Sequence, residues 1–276
     1  MTLITNIAPL KRSEPFLKWA GGKRWLTERV LELIPSNYDV YIEPFLGSGA
    51  VYFSLQPSKA ILSDLNADLI NAYSAIKTDW EKVHLHLLSH HNKHCADYYY
   101  EIRKQNLRAL HTKAAKFIYL NRTCWNGLYR VNLKGQFNVP IGTKKNAILD
   151  TDDFEATSLI LKNAELSCVD FEDTINRAQR NDVIFADPPY TVHHNNNGFI
   201  KYNETIFRWE DQLRLRDALF RAKARGVKTI ITNANHESVR KLYQNDFEIE
   251  IVSRMSVIAG SPSARRTYEE LLIYSV

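Results

Sequence analysis

The chain has 276 residues, 45% apolar and 24% charged, with a net charge of +5, a globular composition with length for one large domain or two modest ones. No apolar run reaches the ~20 residues of a membrane span, and the opening "MTLITNIAPLKRSEPF" lacks the order of a signal peptide. The three cysteines, Cys95, Cys124 and Cys168, are widely spaced and form no C-x-x-C, which argues against a disulfide framework and for a reducing cytoplasm.

In chain order, the first strand-like run is "DVYIEPF" (39–45), which ends in the loop "LGSG", and a helix is expected from about Ala50. The run "KAILSDLN" (59–66) reads as a strand ending in Asp64 and Asn66, and "ADLINAYSAIK" reads as a helix. Such βαβ alternation predicts an α/β fold with a parallel sheet. From about residue 80 the texture becomes long, polar and helix-rich. Within it "HHNKHC" (90–95) reads as a polar helix end or loop rather than a metal site, because no second ligand cluster with zinc spacing follows. The stretch "GLYRVNLKGQFNVP" reads as a hairpin turning at Asn132–Gly135. Strand runs return at 164–171, 182–187, 227–233, 247–257 and 268–276, the last two as an antiparallel pair at a sheet edge. The chain is thus divided into a discontinuous α/β domain, 1–70 and 160–276, and an inserted helical and β-hairpin module, 71–159.

Chemistry is suggested first by "EPFLGSG" (43–49), where a strand runs into Gly47, Ser48 and Gly49. Glycine lets backbone approach a ligand closely, although an ordinary turn has the same look. Asp64 closes the next strand, where an acid can bind ribose hydroxyls or cap a helix. The third glycine of a dinucleotide loop is replaced by Tyr52, and no phosphate-binding lysine is present. A nucleoside without phosphates therefore fits better than NAD or ATP.

The most informative stretch is "DPPY", residues Asp187, Pro188, Pro189 and Tyr190, at the end of a strand. An exocyclic amine on an aromatic base is a poor nucleophile because its lone pair is delocalised. Accepting both of its N–H bonds pulls the nitrogen toward tetrahedral geometry. A carboxylate and a backbone carbonyl are two such acceptors, and proline offers no competing N–H. Tyr190 can stack on a base.

Between 119 and 145 there are Arg122, Arg130, Lys134, Lys144 and Lys145, and no acid. A basic, glycine-bearing, aromatic-interleaved loop suits nucleic acid. Arg130 is the candidate for a guanine edge, and Leu128 and Pro140 for a thymine methyl. Trp125, with its polar neighbours Arg122, Asn126 and Arg130, has a wet setting for a core aromatic.

In this order, "FLKWAGGKRWL", "EPFLGSGAVY", "SDLNADLINAY", "LNRTCWNGLYRVNLKGQFNVPIG" and "DPPY" resemble the Dam-type DNA adenine-N6 methyltransferases, and the closing "SVIAGSPSARRTYEELLI" does so too. The resemblance implies a Rossmann-like, S-adenosylmethionine-dependent fold acting on double-stranded DNA. It implies that Trp19, Lys23, Phe45, Gly47, Ser48 and Gly49 line the methionine end of the cofactor, and that Asp64 binds its ribose. Phe171 would lie near the cofactor adenine with Asp170 beside it, and Asp187 would border the same pocket. Asp187 and the Pro188 carbonyl would take the target amine, and Pro189 and Tyr190 would complete the catalytic turn. Lys18, Arg122, Trp125, Asn126, Leu128, Arg130, Asn138, Pro140 and Lys144 would meet DNA, with Trp125, otherwise a core aromatic, in the position that fills the space left by the extruded base and Asn126 in the one that meets the orphaned thymine.

Transfer would be direct, and no Pro-Cys motif is present to supply a thiolate. Members with this hairpin often modify the adenine of GATC, but "TKK" after Gly142 stands where some place an aromatic that reads the first base pair. The segment "TVHHNNNGFIKYN" (191–203), with His193 and His194, would be a lid. No membrane, metal or obligate protein partner is expected, and the chain should be a cytoplasmic monomer. A cytosine-N4 or non-DNA amino methyltransferase, or a catalytically silent DNA-binding protein, are the competing readings.

Overall fold

Consecutive apolar residues bury both faces of a strand, and such runs form the parallel heart of this protein. The computed structural model describes residues 14–132, 135–191, 207–255 and 267–276. The expected lid with His193 and His194, Lys134, and the stretch 256–266 of the closing motif lie outside the described residues. The strands are β1 (Tyr41–Glu43), β2 (Ala60–Ser63), β3 (Ala164–Ser167), β4 (Val183–Ala186), β5 (Lys228–Ala234), β6 (Glu248–Met255) and β7 (Thr267–Tyr274). They form one Rossmann-like sheet in the order β3-β2-β1-β4-β5-β7-β6.

The chain divides into two compact units, one drawn from segments up to Thr27, Gly47–Gln56 and Asn66–Leu166, the other from Glu28–Leu46, Pro57–Leu65 and Ser167–Val276. In the second unit β1 pairs in parallel with β2 on one side and with β4 on the other, and β4 pairs in parallel with β5. The last two strands are antiparallel as expected, yet β7 lies inside, against β5, and β6 forms the edge. Residue pattern explains the swap. Leu271, Leu272 and Ile273 are all buried, whereas β6 alternates and leaves Glu248, Ile251 and Ser253 exposed. A two-faced apolar run belongs in the interior and an acid-bearing one at the edge. Helix α7 (Phe171–Asn176) and helix α8 (Trp209–Ala224) pack together, and α8 lies on β5. Ile42, Ile184, Ile231, Leu215 and Leu219 share one core cluster, each worth ~1.5–3 kcal/mol of burial.

The first unit is helical, as the polar middle of the sequence predicts. Helix α3 (Ala67–Asn92) packs against α5 (Leu110–Thr123) and α6 (Phe154–Leu161). Asn66 starts α3 by accepting from the Leu69 amide at 3.1 Å. At the other end of α3 the histidines of "HHNKHC" serve structure. His90 stacks on Tyr119 at 5.1 Å and bonds the Tyr98 hydroxyl through Nδ1 at 2.8 Å. His94 Nδ1 bonds the Tyr119 hydroxyl at 2.8 Å, and His91 Nδ1 accepts from the Ala147 amide at 3.2 Å. The hairpin forms as expected around its described residues: Val131 bridges Phe137, and the Asn138 amide donates to the Arg130 carbonyl at 3.1 Å. Tyr99 and Arg103 of α4 (Ala96–Lys104) hold its return arm by donating to the Val139 carbonyl at 3.0 and 3.1 Å.

Burial drives the His90 pKa down from 6.5 to about 4, with the charges of His86, Lys93 and Lys116 adding to the effect. The folded state therefore resists protonation more than the unfolded one does. Stability that is intact above pH 6.5 is lost as pH falls through the window down to about 4. At 1.36 kcal/mol per unit the loss assignable to His90 is about 3 kcal/mol. Thermal unfolding from pH 7.5 to 4 should fall less steeply in His90→Phe than in the wild type; parallel curves would exclude His90 as a contributor.

Candidate functional site

Parallel pairing sends β1, β2 and β4 out of the sheet at the same end, so the segments after all three emerge along one edge of the second unit. The sheet changes winding direction between β1 and β4, and such a switch point is where open α/β sheets bind ligands. The ladder pairs Ala186 with Ile231. One residue further on, Asp187 stands level with Thr232, whose hydroxyl donates to Asp187 Oδ1 at 2.6 Å. The two prolines that follow bring no N–H, so the turn shows carbonyls. Gln212 of α8 approaches the Pro189 carbonyl through Nε2 at 3.5 Å and is itself held by Asn233, which donates to its Oε1 at 3.1 Å. Tyr190 donates its hydroxyl to Glu270 Oε2 on β7 at 2.7 Å. Burial, and then the negative charges of Asp187 and Glu270, hold the Tyr190 phenol well above its usual pKa. It is thus a neutral donor throughout the working pH range.

Other expected residues of this unit have mixed surroundings. Asp64 follows β2, and its amide donates to the Ser167 carbonyl at 3.4 Å. Capping of the next helix falls to Asn66, which removes the helix-cap reading of Asp64. Asp170 caps α7 through the Glu172 amide at 2.9 Å and pairs with Arg214 at 2.7 Å. Phe171 is only 2% exposed, stacked on half-buried Phe45 at 5.3 Å. The Arg214 guanidinium lies 4.8 Å from the Phe171 ring centre. Phe171 is therefore a core residue first.

In the first unit the structure brings "KWAGGK" onto the glycine loop. A Cβ at Gly47, where φ is +46°, would fall 2.8 Å from Trp19 Cδ1, so only glycine lets the indole lie there. The Gly47 carbonyl accepts from the Tyr73 hydroxyl at 3.0 Å. Lys23 is buried, with Nζ donating to the Gly21 carbonyl at 2.6 Å, and Ser48 Oγ lies beside Gly22. Gly49 takes φ of 64° just before helix α2 (Ala50–Leu55). Trp19 also stacks on Tyr129 at 5.7 Å, and Tyr129 contacts Phe137 at the same spacing. An aromatic series thus joins the glycine loop to the hairpin.

The hairpin residues separate into exposed and buried. Trp125 is 51% exposed, on a turn Trp125–Gly127 in which Asn126 has φ of 56°. It is not a core tryptophan. Arg130 is exposed, and its Nε donates to Asn138 Oδ1 at 3.1 Å. Pro140 and Lys144 are exposed, and Leu128 is half-buried. Lys18 lies against Gly127. Burial, and then the charge of Lys144, lower the Lys18 pKa, which places two cationic side chains close together.

Arg122 is a correction. It is expected to meet DNA, yet it is 1% exposed and forms a bidentate pair with Asp152, at 2.6 Å to each oxygen. Its remaining N–H groups donate to the carbonyls of Phe16 and Ala147. A desolvated guanidinium with these partners has no reach to a phosphate. The residues that sequence reasoning passed over are Thr232, Gln212, Asn233 and Glu270. Thr232 and Asn233 are signalled by polar character at the end of an apolar run and Glu270 by its place just before Leu271–Leu272–Ile273, whereas Gln212, in "EDQLRLR", carries no signal.

The family model described as D12 class N6 adenine-specific DNA methyltransferase matches residues 19–258. The chain is 35% identical to the Type II methyltransferase M1.LlaDCHI of Lactococcus lactis subsp. cremoris, over 94% of both chains. It is 34% identical to the Type II methyltransferase M.MjaIII of Methanocaldococcus jannaschii, over 94% of this chain and 98% of that one. The DNA adenine methylase of Escherichia coli (strain K12) is 31% identical over 95% of both.

Replacing Arg122 by Ala leaves the Asp152 carboxylate buried without its counter-ion, which costs ~3–5 kcal/mol. Denaturant unfolding should show that loss, while duplex affinity per folded molecule stays at the wild-type value. A stable Arg122→Ala protein with weakened DNA binding would restore the nucleic-acid role.

Proposed function

The chain belongs to the D12 class of N6 adenine-specific DNA methyltransferases, and from that premise we propose that it methylates a flipped adenine in GATC or a related short site of duplex DNA, with S-adenosylmethionine as donor. The observation that carries the proposal is the fixed Asp187 carboxylate at the head of a carbonyl-only turn.

Asp187 and the Pro188 carbonyl accept the two N–H bonds of the target amine. This localises the nitrogen lone pair and aims it for in-line attack. The proton lost on methylation passes to the Asp187 carboxylate and from there to solvent, the Pro188 carbonyl only accepting a hydrogen bond, and no covalent enzyme intermediate forms. Tyr190 stacks on the base. The residues fit the cofactor by chemistry. Gly47 leaves bare backbone beneath Trp19, Asp64 and Asp170 are carboxylates suited to hydroxyl and amino groups, and Phe45 is a partly open aromatic face. Trp19, Lys23, Ser48 and Gly49 would join Gly47 at the methionine end, and Asp64 and Asp170 would hold the nucleoside. When bound, the cofactor supplies an electrophilic methyl group on a sulfonium.

The adenine amine is hidden in duplex DNA, and extrusion costs a few kcal/mol. Trp125, half exposed on a tight turn, suits filling the gap. Asn126 suits the orphaned thymine, and Arg130, steadied by Asn138, suits a guanine edge. Leu128 and Pro140 offer apolar contact to a thymine methyl. Lys18 and Lys144 lie near each other and suit the outermost base pair and its phosphates. In domain terms we assign 71–159 to target recognition and 1–70 with 160–276 to catalysis. We also propose that the protein acts as a monomer in the cytoplasm, a reducing compartment that its three free cysteines suit. No helix among the described residues is long and apolar enough to cross a membrane.

Incubation with labelled cofactor and mixed-sequence DNA, followed by mapping of modified bases, should return N6-methyladenine at one short site. Label on cytosine N4, or cofactor binding without transfer, would overturn the reading. Asp187→Ala should slow transfer by roughly 10²-fold or more while cofactor affinity stays near normal; unchanged turnover would end the amine-acceptor role. Arg130→Ala should relax preference at one base pair by ~1–3 kcal/mol, whereas a uniform loss across all sequences would make Arg130 a phosphate contact.

A further inference from the structure

We infer that Thr232 and Glu270 are positioning residues for methyl transfer, pinning the two polar ends of the Asp187–Tyr190 turn from neighbouring strands. The inference rests on the reading of that turn as the amine-binding element.

The turn cannot hold itself. Pro188 and Pro189 have no N–H to bond back to the chain. The terminal torsion of an aspartate is broad, so its carboxylate plane is set only by what it touches. The turn therefore has to be gripped from outside, and the sheet register shows where. Ala234 pairs with Glu270 and Thr232 with Leu272 across the antiparallel β5–β7 ladder. Side chains two apart on a strand share a face, as do directly opposed residues. Thr232 and Glu270 therefore project from one face, on adjacent strands. Thr232 Oγ1 donates to Asp187 Oδ1 at 2.6 Å, and Glu270 Oε2 accepts from the Tyr190 hydroxyl at 2.7 Å.

Neither residue is what the sheet itself asks for. Thr232 is fully buried, as are its strand neighbours Ile230 and Ile231, and valine would fill the same volume. Glu270 is 6% exposed beside Leu271, Leu272 and Ile273. A carboxylate in such surroundings is costly unless it is hydrogen-bonded. Its value lies in what it holds. A fixed Oδ1 sets the direction of the whole Asp187 carboxylate, and a fixed phenol hydroxyl sets the axis along which the Tyr190 ring lies.

The test uses the full-length protein with duplex DNA carrying the mapped site, in single-turnover transfer at saturating DNA and cofactor. Thr232→Val, which keeps shape and loses the hydroxyl, should lower the transfer rate roughly ten- to hundredfold, the range for a bond to a charged group. DNA and cofactor dissociation constants, measured by direct titration, and the melting temperature should stay near wild type. Thr232→Ser should restore most of the rate. Tyr190→Phe and Glu270→Leu should each slow transfer, and the loss in the double variant should fall short of the product of the two single losses, because the Tyr190–Glu270 bond is removed in both. The Thr232 and Tyr190 variants carry the test alone if Glu270→Leu does not fold. The inference is overturned by a wild-type rate in Thr232→Val, by equal losses in Val and Ser, or by a loss that follows affinity or melting temperature. Asp187→Ala run alongside separates the two levels. If it transfers normally, the reading of the turn is wrong. If it is inactive while Thr232→Val is normal, only the positioning role fails.

Discussion

The rest of this structure depends on the parallel pairing of β1 with β2 on one side and β4 on the other. Parallel strands end at the same edge of a sheet, so the chemistry written after each one emerges at that edge. The same pairing reverses the winding at β1 and β4, the kind of switch point at which open α/β sheets bind ligands. Asp64 and Asp187 owe their positions to it. A turn made of two prolines then becomes useful, because a rigid sheet beside it supplies the hydrogen bonds that the turn lacks.

Polar burial in this protein follows one rule at several places. Arg122 is tied to Asp152 and two carbonyls, Asn121 clamps the Lys18 backbone through both its oxygen and its nitrogen, and Glu270 takes the Tyr190 hydroxyl. Each group gives up water and is compensated by geometry. Arg122 and Asn121 brace the root of the hairpin from α5. The residues left at the surface there, Trp125 and Arg130, are thus presented on a braced base. The basic stretch 119–145 therefore contains two kinds of cation, one that builds the scaffold and one that faces solvent.

Much of this was legible in the residues alone. Contiguous apolar runs marked the strands and "VNLKG" marked the hairpin turn, because strand periodicity and turn chemistry are carried by residues next to one another. The ordered motifs pointed to the family, and "DPPY" stated its own chemistry: a carboxylate, carbonyls without amides, and an aromatic. What remained open needed a partner far along the chain. Asp64 and Asn66 are equally good helix caps on paper, and only the fold makes Asn66 the cap.

Tertiary structure alone decided that Arg122 is scaffold, since its pair Asp152 lies 30 positions away and nothing local separates it from Arg130. It alone placed β7 between β5 and β6, and aimed Thr232 and Glu270 at the Asp187–Tyr190 turn across separations of 45 and 80 residues. The sequence by itself determined the class of chemistry and the elements that carry it, because those follow from residue type and short-range spacing. Burial and hydrogen-bond partnership are properties of the folded neighbourhood, so which charged groups face solvent, and which hold others in place, became visible only when the chain was closed on itself.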